Sequence, residues 1–174
     1  NVENTIAALA VTHQLKLDIE KVKLAVAAFS GVKRRFEYVV KTDAHVYIDD
    51  YAHHPEELRM LITSARALFK GRKVSVIFQP HLFTRTRDLA DGFAECLDLA
   101  DEVVLLDIYP ARELPIEGIT SHTILDRMSL NNRHILSKIA ALDWVKASKP
   151  DLLITAGAGD IDNLVEPIKQ ILLN

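Results

Sequence analysis

Apolar residues recur first at a helical period and then switch repeatedly between strand and helical periods to the end of the chain. Residues 3–16 place Ile6, Leu9, Ala10, His13 and Leu17 on one stripe. Asp18 then caps a second helix that turns Val22, Ala25, Val26 and Phe29 inward before Gly31 stops it. Arg34–Thr42 alternates Phe36, Tyr38 and Val40 against Arg35, Glu37 and Val39, which predicts a half-exposed strand. Asp43-Ala44 turns it into a second strand carrying Val46 and Ile48, so the pair reads as a hairpin. From Pro55 the stripe Leu58, Leu61, Ile62, Ala65, Leu68 and Phe69 predicts a helix closed by Gly71, followed by a fully apolar strand over 74–78. The alternation then repeats. A helix is predicted over 84–100, a strand over 102–108, a Pro/Gly-containing loop over 110–120 and a short helix capped by Ser121. An edge strand over 132–136, a helix over 138–149 with Ile139, Leu142 and Val145 inward, a strand over 152–155 and a last helix from Asp160 complete the chain.

Strands that alternate with helices require right-handed crossovers and a mostly parallel sheet covered on both faces. The predicted fold class is therefore α/β: a three-layer, mostly parallel, Rossmann-like sheet, with one antiparallel strand from the N-terminal hairpin and a short helical segment ahead of it. The one boundary in the pattern lies at Gly31, which separates residues 1–31 from residues 32–174.

Composition changes this picture little. About half of the 174 residues are apolar, enough for a real core, and 21 Lys plus Arg against 24 Asp plus Glu leave no general footprint for nucleic acid or an anionic membrane. The single cysteine, Cys96, sits at an apolar helical position, which excludes a disulfide framework and points to a reducing, cytoplasmic setting. No apolar run approaches the roughly 18 residues of a membrane span. The chain opens with Asn1 and goes almost directly into a helical stripe, so it is expected to be a portion of a longer protein.

In an open α/β sheet the ligand crevice lies beyond the carboxyl ends of the strands, so the segment after each strand is informative. After Ile48 come Asp49, Asp50, Tyr51, His53, His54 and Pro55: two carboxylates, a phenol and two imidazoles at a helix start. Adjacent histidines there diverge and no further His or Cys stands at metal spacing, so no dedicated metal site is expected. One carboxylate bonding a ligand hydroxyl, with one His facing the crevice, is the better reading. After Phe78 come His81, Thr84, Arg85, Thr86, Arg87 and Asp88, which set two guanidiniums at a helix N-terminus where the dipole prefers negative charge. A bound carboxylate or phosphate resolves that conflict; the competing reading pairs Asp88 with one Arg and leaves the other solvated. Arg112 and Glu113 come after the next strand in a loop able to close over a ligand, or form a solvated pair. Ala156-Gly157-Ala158-Gly159-Asp160 comes after the last strand as either a phosphate approach or a tight strand-to-helix turn; its spacing matches neither dinucleotide fingerprint nor P-loop. The basic triplet Lys33-Arg34-Arg35 reads either as a solvated face or, since strand alternation sends Arg34 and Arg35 to opposite sides, as placing one of them within reach of a phosphate. No nucleophile elbow is present, and Cys96 reads as core.

Together, Phe29-Ser-Gly-Val-Lys-Arg-Arg-Phe36, Asp49-Asp-Tyr-Ala-His-His-Pro55, Phe78-Gln-Pro-His-Leu-Phe-Thr-Arg-Thr-Arg-Asp88 and Ala156-Gly-Ala-Gly-Asp160 resemble the C-terminal domain of the Mur ligases, over essentially the whole chain. The resemblance is closest to the branch that joins L-alanine to UDP-N-acetylmuramate. It implies an ATP- and magnesium-dependent ligase of peptidoglycan synthesis that activates a carboxyl as an acyl phosphate, which the amine of L-alanine attacks. It also implies UDP-binding and ATPase domains ahead of Asn1 that carry most magnesium ligands, with residues 1–31 as the tail of the ATPase domain and 32–174 as a mobile lid. On the same basis Asn1 and Asn4 meet the adenine, Arg34 or Arg35 the phosphates, and Asp49 or Asp50 the ribose. Tyr51 and His53 face the reacting centre, and His81 and Arg85 hold the alanine carboxylate. Many members carry Arg where this chain has Leu82 and Gly where it has Arg112, so part of the amino-acid grip is arranged differently here. A ligase that recycles a preformed tripeptide is the near alternative, and a stand-alone, non-catalytic nucleotide- or anion-binding module is the alternative of another class.

Overall fold

A computed structural model describes residues 2–29 and 31–174, and the side chain of Val2 is outside that description. The chain divides into two compact units, the first ending at Val32 and the second running from Lys33 to the C-terminus.

The first unit is two helices, α1 (Val2–Gln14) and α2 (Ile19–Ala28). Asp18 caps α2 as predicted, its carboxylate accepting from the amides of Glu20 at 2.9 Å and Lys21 at 3.4 Å. The predicted inward stripe is not buried. Val22 is the buried residue of α2, whereas Ile6, Leu17, Val26 and Phe29 are exposed. Two helices of this length offer each other only a narrow seam, and most helical stability comes from burying a full face.

The second unit contains β1 (Glu37–Lys41), β2 (Val46–Asp50), α3 (Pro55–Leu68), β3 (Val74–Phe78), α4 (Phe83–Asp88), α5 (Ala90–Leu97), β4 (Glu102–Leu105), α6 (His122–Leu125), β5 (Arg133–Ile135), α7 (Lys138–Ser148), β6 (Leu152–Ala156), a 3-10 turn (Asp160–Leu164) and α8 (Val165–Leu173). Its six strands lie in the order β1-β2-β6-β3-β4-β5, with β1 antiparallel to β2 and every other pair parallel. This is the three-layer, mostly parallel sheet with one antiparallel strand that the sequence predicts. Alternation along each strand divides the core. Ile48, Val76, Phe78, Val103, Leu105 and Ile154 pack toward α3, α5 and α6; Tyr47, Ile77, Val104 and Leu153 pack toward α7 and α8. Cys96 is fully buried in the first of these layers, and burial pushes its thiol up to about 12.

Some boundaries differ from the sequence expectation. The strand predicted over 34–42 begins only at Glu37, because Arg34 and Phe36 have φ of 57° and 50° and their polar groups wrap the end of β2 rather than pair along it. Arg34 and Arg35 therefore do not alternate across a strand. The helix predicted over 84–100 breaks at Leu89 (φ −117°, ψ 17°) into α4 and α5. The last helix is preceded by the 3-10 turn. Ile139, predicted inward, is exposed, since α7 meets the sheet through Ala141 and Val145; Leu68 is exposed as well.

The register of the parallel strands aligns Asp50, Ala156, Phe78, Leu105 and Ile135 in one row across the sheet. The segments after β2, β6, β3 and β4 thus leave the sheet at one level, and β6, threaded between β2 and β3, continues onto the opposite face from its neighbours. That reversal is where an open α/β sheet forms its crevice.

Candidate functional site

Below the crevice floor lies a closed polar network. Tyr47, Asp49 and Thr155 share one face of the sheet, where Asp49 and Thr155 are register partners, and all three are buried. The Thr155 hydroxyl donates to Asp49 Oδ1 at 2.6 Å. With that proton committed, the 2.9 Å contact to Tyr47 must have the phenol donating to Thr155 Oγ1. The other carboxylate oxygen, Asp49 Oδ2, accepts from Arg34 Nε at 3.2 Å. Arg34 also donates through Nη2 to the Gly157 carbonyl at 2.6 Å and lies 5.1 Å from the Tyr51 ring centroid. Burial pushes the Asp49 carboxyl upward, opposed by Thr155 and Arg34. Both Asp49 oxygens and the Nε and Nη2 of Arg34 are therefore engaged by the protein itself.

Asp50 faces the other way. It accepts from Phe36 N at 2.6 Å and Ala52 N at 2.8 Å, and burial raises its carboxyl while those amides and the positive charge of Arg35 lower it. Arg35 itself is exposed. Of each sequence-predicted pair, then, one member is built into the floor and the other borders solvent. Asn4 is exposed on α1, and Asn1 lies outside the described residues, as does Ser30 of the first motif.

Above the floor, four rings form a run along the crevice. Tyr51 meets His53 edge-on at 5.3 Å, His53 meets His81 at 6.2 Å, and His81 stacks on Tyr109 at 5.7 Å. His53 Nδ1 lies 2.9 Å from the Tyr51 carbonyl, which can only accept, so Nδ1 carries a hydrogen and, in the neutral ring, Nε2 keeps a lone pair. The helix start is fixed by Glu57, whose carboxylate accepts from His53 N at 2.9 Å and His54 N at 3.1 Å; His54 itself is the exposed N-cap. His81 has the opposite tautomer. Its Nδ1 faces Arg85 Nη1 at 3.4 Å, so the neutral ring keeps its hydrogen on Nε2. Burial lowers its basicity first, with the charges of Arg85 and His53 adding to the effect. A neutral imidazole N–H beside a guanidinium is a seat for a carboxylate.

The helix-end anion reading needs one correction. The amide of Thr84 at the start of α4 is not free: the Glu113 carboxylate accepts from it at 3.0 Å and from the Thr84 hydroxyl, which holds Glu113 well below the usual carboxylate range. Asp88 pairs with Arg87 at 2.7 Å in the open, in line with the competing reading, which leaves Arg85 as the guanidinium turned toward the histidines. Glu113 is thus neither a solvated partner of Arg112 nor free. Leu82, between His81 and α4, has φ 72° and ψ 135°, a region that costs a non-glycine residue on the order of 1–3 kcal/mol.

The glycines after β6 serve close packing. A Cβ at Gly157, where φ is 146°, would stand 2.8 Å from the Gln79 carbonyl, and one at Gly159 would stand 2.6 Å from Tyr109 Cβ. This is the tight-turn reading of that segment. Gln79 is buried and donates to Asp160 Oδ1 at 2.8 Å, and Asp160 also pairs with Lys138. A cleft of about 450 Å³ lies beside these residues, lined by Gln79, Tyr109, Ser137, Lys138 and Asp160 among others, and none of the sequence-predicted site residues lines it. Among the described residues no three His, Cys, Asp or Glu side chains gather closely enough to hold a metal ion. No helix among them is long and apolar enough to cross a membrane.

Residues 34–159, which run from Arg34 of the crevice floor to the glycines after β6, match the family model described as Mur ligase, glutamate ligase domain. The chain belongs to the Mur ligase family. It is 51% identical over 172 residues to the UDP-N-acetylmuramate–L-alanine ligase of Flavobacterium johnsoniae, covering 99% of this chain and 38% of that protein. The ligase of the same name from Cytophaga hutchinsonii is 50% identical over 171 residues, covering 98% of this chain and 37% of that protein. The chain thus spans under two fifths of the length of these relatives. The crystal structure of UDP-N-acetylmuramate-alanine ligase from Thermotoga maritima superposes with a TM-score of 0.76 at 30% identity, over 99% of this chain and 36% of that one. In this Mur ligase domain the residues that sequence reasoning missed are Tyr47, Thr155 and Glu57, together with the partners of the 109–113 loop, Tyr109 against His81 and Glu113 against Thr84. Glu57 was within reach, three residues after His54 at capping-box spacing; the others meet the site only through the tertiary fold.

Proposed function

We propose that this chain is the C-terminal, acceptor-facing domain of a cytoplasmic ATP-dependent, ADP-forming ligase that joins L-alanine to UDP-N-acetylmuramate through an acyl phosphate in peptidoglycan synthesis. The observation that carries this reading is the His81–Arg85 pair at the crevice, in a chain half identical over its full length to ligases of that name. The Arg85 guanidinium and the His81 Nε2–H hold the carboxylate of L-alanine and so aim its amine. His53 presents the Nε2 lone pair toward the same space, where it accepts a hydrogen bond from that amine, and Tyr51 walls the reacting centre.

Asp50 and Arg35, the members of each pair that border solvent, serve the ribose and the phosphates, while Asp49 and Arg34 hold the floor that places them. ATP supplies the phosphoryl group that activates the muramate carboxyl. Its magnesium has no ligand cluster among the described residues, so in this reading its ligands and the UDP-binding surface come from N-terminal and central domains of the same enzyme. Residues 1–31 are read as the helical tail of that central domain, consistent with their exposed apolar stripe, and residues 32–174 as the lid.

Arg85→Ala in the complete enzyme tests the assignment. Loss of charge-assisted bonds worth about 1.5–3 kcal/mol raises the KM for L-alanine roughly 10- to 100-fold with little change in the KM for ATP. Equal, small effects on both would sink it, and a preference for a tripeptide over L-alanine as acceptor would move the chain to another branch of the family.

A further inference from the structure

The acceptor pair His81–Arg85 stands on a segment whose own sequence holds it only from inside α4, where the Thr86 hydroxyl and amide donate to the Leu82 carbonyl at 2.8 and 3.1 Å. Leu82 sits between the two in a left-handed conformation unfavourable to a side chain with a Cβ. α4 is only six residues long, and the structure gives its N-cap no side-chain hydrogen bond. The support for this segment comes from the loop after β4. Tyr109 N donates to the Pro80 carbonyl at 2.8 Å and Leu82 N to the Tyr109 carbonyl at 2.9 Å, which extends the β3–β4 pairing past the sheet to His81. The chain then turns through Ala111, at φ 50°, closed by Glu113 N donating to the Pro110 carbonyl at 2.9 Å. That turn delivers the Glu113 carboxylate onto the Thr84 amide and hydroxyl. The segment His81–Arg85 is clamped from one side by the Tyr109 backbone and from the other by Glu113.

We infer that Glu113 is a positioning residue for acceptor binding: its carboxylate, bonded to Thr84, fixes the strained turn at Leu82 and so sets the aim of His81 and Arg85. The inference rests on the acceptor role proposed above for those two residues. Glu113 touches neither the acceptor nor the reacting atoms; it acts through Thr84. A glutamine retains the geometry, because its Oε1 accepts from the Thr84 amide and its Nε2 donates to the Thr84 hydroxyl, which reverses the direction of that bond.

Three variants test it, Glu113→Ala, Glu113→Gln and Thr84→Val, each in the isolated chain and in the complete ligase. In the isolated chain, Glu113→Ala accelerates amide hydrogen exchange at Thr84 and Arg85 at least about tenfold and shifts the His81 ring resonances, while exchange in β3 and β6 is unchanged. In the complete ligase it raises the KM for L-alanine at least about tenfold and leaves the KM for ATP within twofold, since misplacement on the order of 1 Å costs up to about 100-fold. Glu113→Gln restores most of both readouts, and Thr84→Val moves them in the same direction as the alanine variant. Faster exchange throughout the domain, unchanged exchange at 84–85, or a fall in kcat with no change in KM for alanine would overturn the inference. Should Glu113→Ala fail to fold, Glu113→Asp, whose shorter side chain withdraws the carboxylate from both the amide and the hydroxyl of Thr84, carries the test, and its null result overturns the inference equally. If instead Arg85→Ala leaves alanine KM unchanged while Glu113→Ala still loosens residues 84–85, the acceptor reading fails and the clamp stands as a structural fact only.

Discussion

Removing one hydroxyl from the buried network beneath the crevice separates two kinds of hydrogen-bond loss. Thr155→Val replaces a hydroxyl by a methyl of nearly the same volume, so no cavity opens. Two groups are left behind. The Tyr47 phenol, with no measurable exposure, loses the acceptor it donates to at 2.9 Å, and Asp49 Oδ1 loses the donor at 2.6 Å while Oδ2 keeps Arg34. Each buried group stranded in this way costs about 1–3 kcal/mol, more for the carboxylate, so the substitution destabilises by about 3–4 kcal/mol. Tyr47→Phe removes the phenol hydroxyl itself; Thr155 continues to donate to Asp49, no buried donor is stranded, and the loss is about 1 kcal/mol. The double variant recovers part of the Thr155→Val cost, because the phenol that was stranded is gone, giving a coupling on the order of 1 kcal/mol. Urea unfolding followed by the fluorescence of Trp144, the single tryptophan, on α7 of the sheet unit, reads these differences, and heating reads them as about 2–4 °C per kcal/mol. A Thr155→Val loss no larger than that of Tyr47→Phe, or additive effects in the double variant, would refute the network as drawn.

Gly157→Ala pushes a Cβ to 2.8 Å from the Gln79 carbonyl at φ 146°; backbone cannot yield as a side chain does, so a loss of at least about 2 kcal/mol is expected in the same urea assay, and a loss under about 0.5 kcal/mol would mean the turn relaxes freely. His81, its basicity lowered by burial, Arg85 and His53, titrates by NMR below the ordinary imidazole value of about 6.5, and Arg85→Ala moves the midpoint upward; a midpoint at or above about 6.5 in the unaltered chain would contradict the described packing. Because the folded value is the depressed one, the stabilisation from His81 is fully present above the unfolded value and is lost as the pH falls through the folded one.

The segments that border the crevice were legible in the chain because they come directly after strands. The rule that ligands gather beyond the carboxyl ends of parallel strands pointed to the stretches after β2 and β3, and the structure brings Tyr51, His53 and His81 into one run of rings with Arg85 beside His81. The assignment within pairs was not legible. Arg34 and Arg35 are adjacent and chemically identical, and only the left-handed backbone at Arg34, together with the bonds it makes to Asp49 and Gly157, sends one into the floor and leaves the other in solvent. The occupied helix end was hidden for a related reason: no local pattern announces that a carboxylate 29 residues away will accept from the Thr84 amide.

By itself the sequence determined the alternation of strand and helix, the α/β class, the burial of the central strands on both faces, and the segments in which chemistry gathers. Those properties arise from local periodicity, capping and chain connectivity. The tertiary structure decided the order β1-β2-β6-β3-β4-β5, and with it which strand ends are neighbours. Placing β6 between β2 and β3 makes Thr155 the register partner of Asp49 and sets the Gly157 carbonyl under the Arg34 guanidinium, contacts spanning more than 100 residues of chain. The fate of each charged group turns on those distant donors and acceptors, since a buried carboxylate must be partnered and an exposed one need not be. The cluster after β2 is therefore two things at once: a buried floor in which Asp49 meets Arg34 and Thr155, and a rim bordering solvent in which backbone amides hold Asp50 beside Tyr51 and His53.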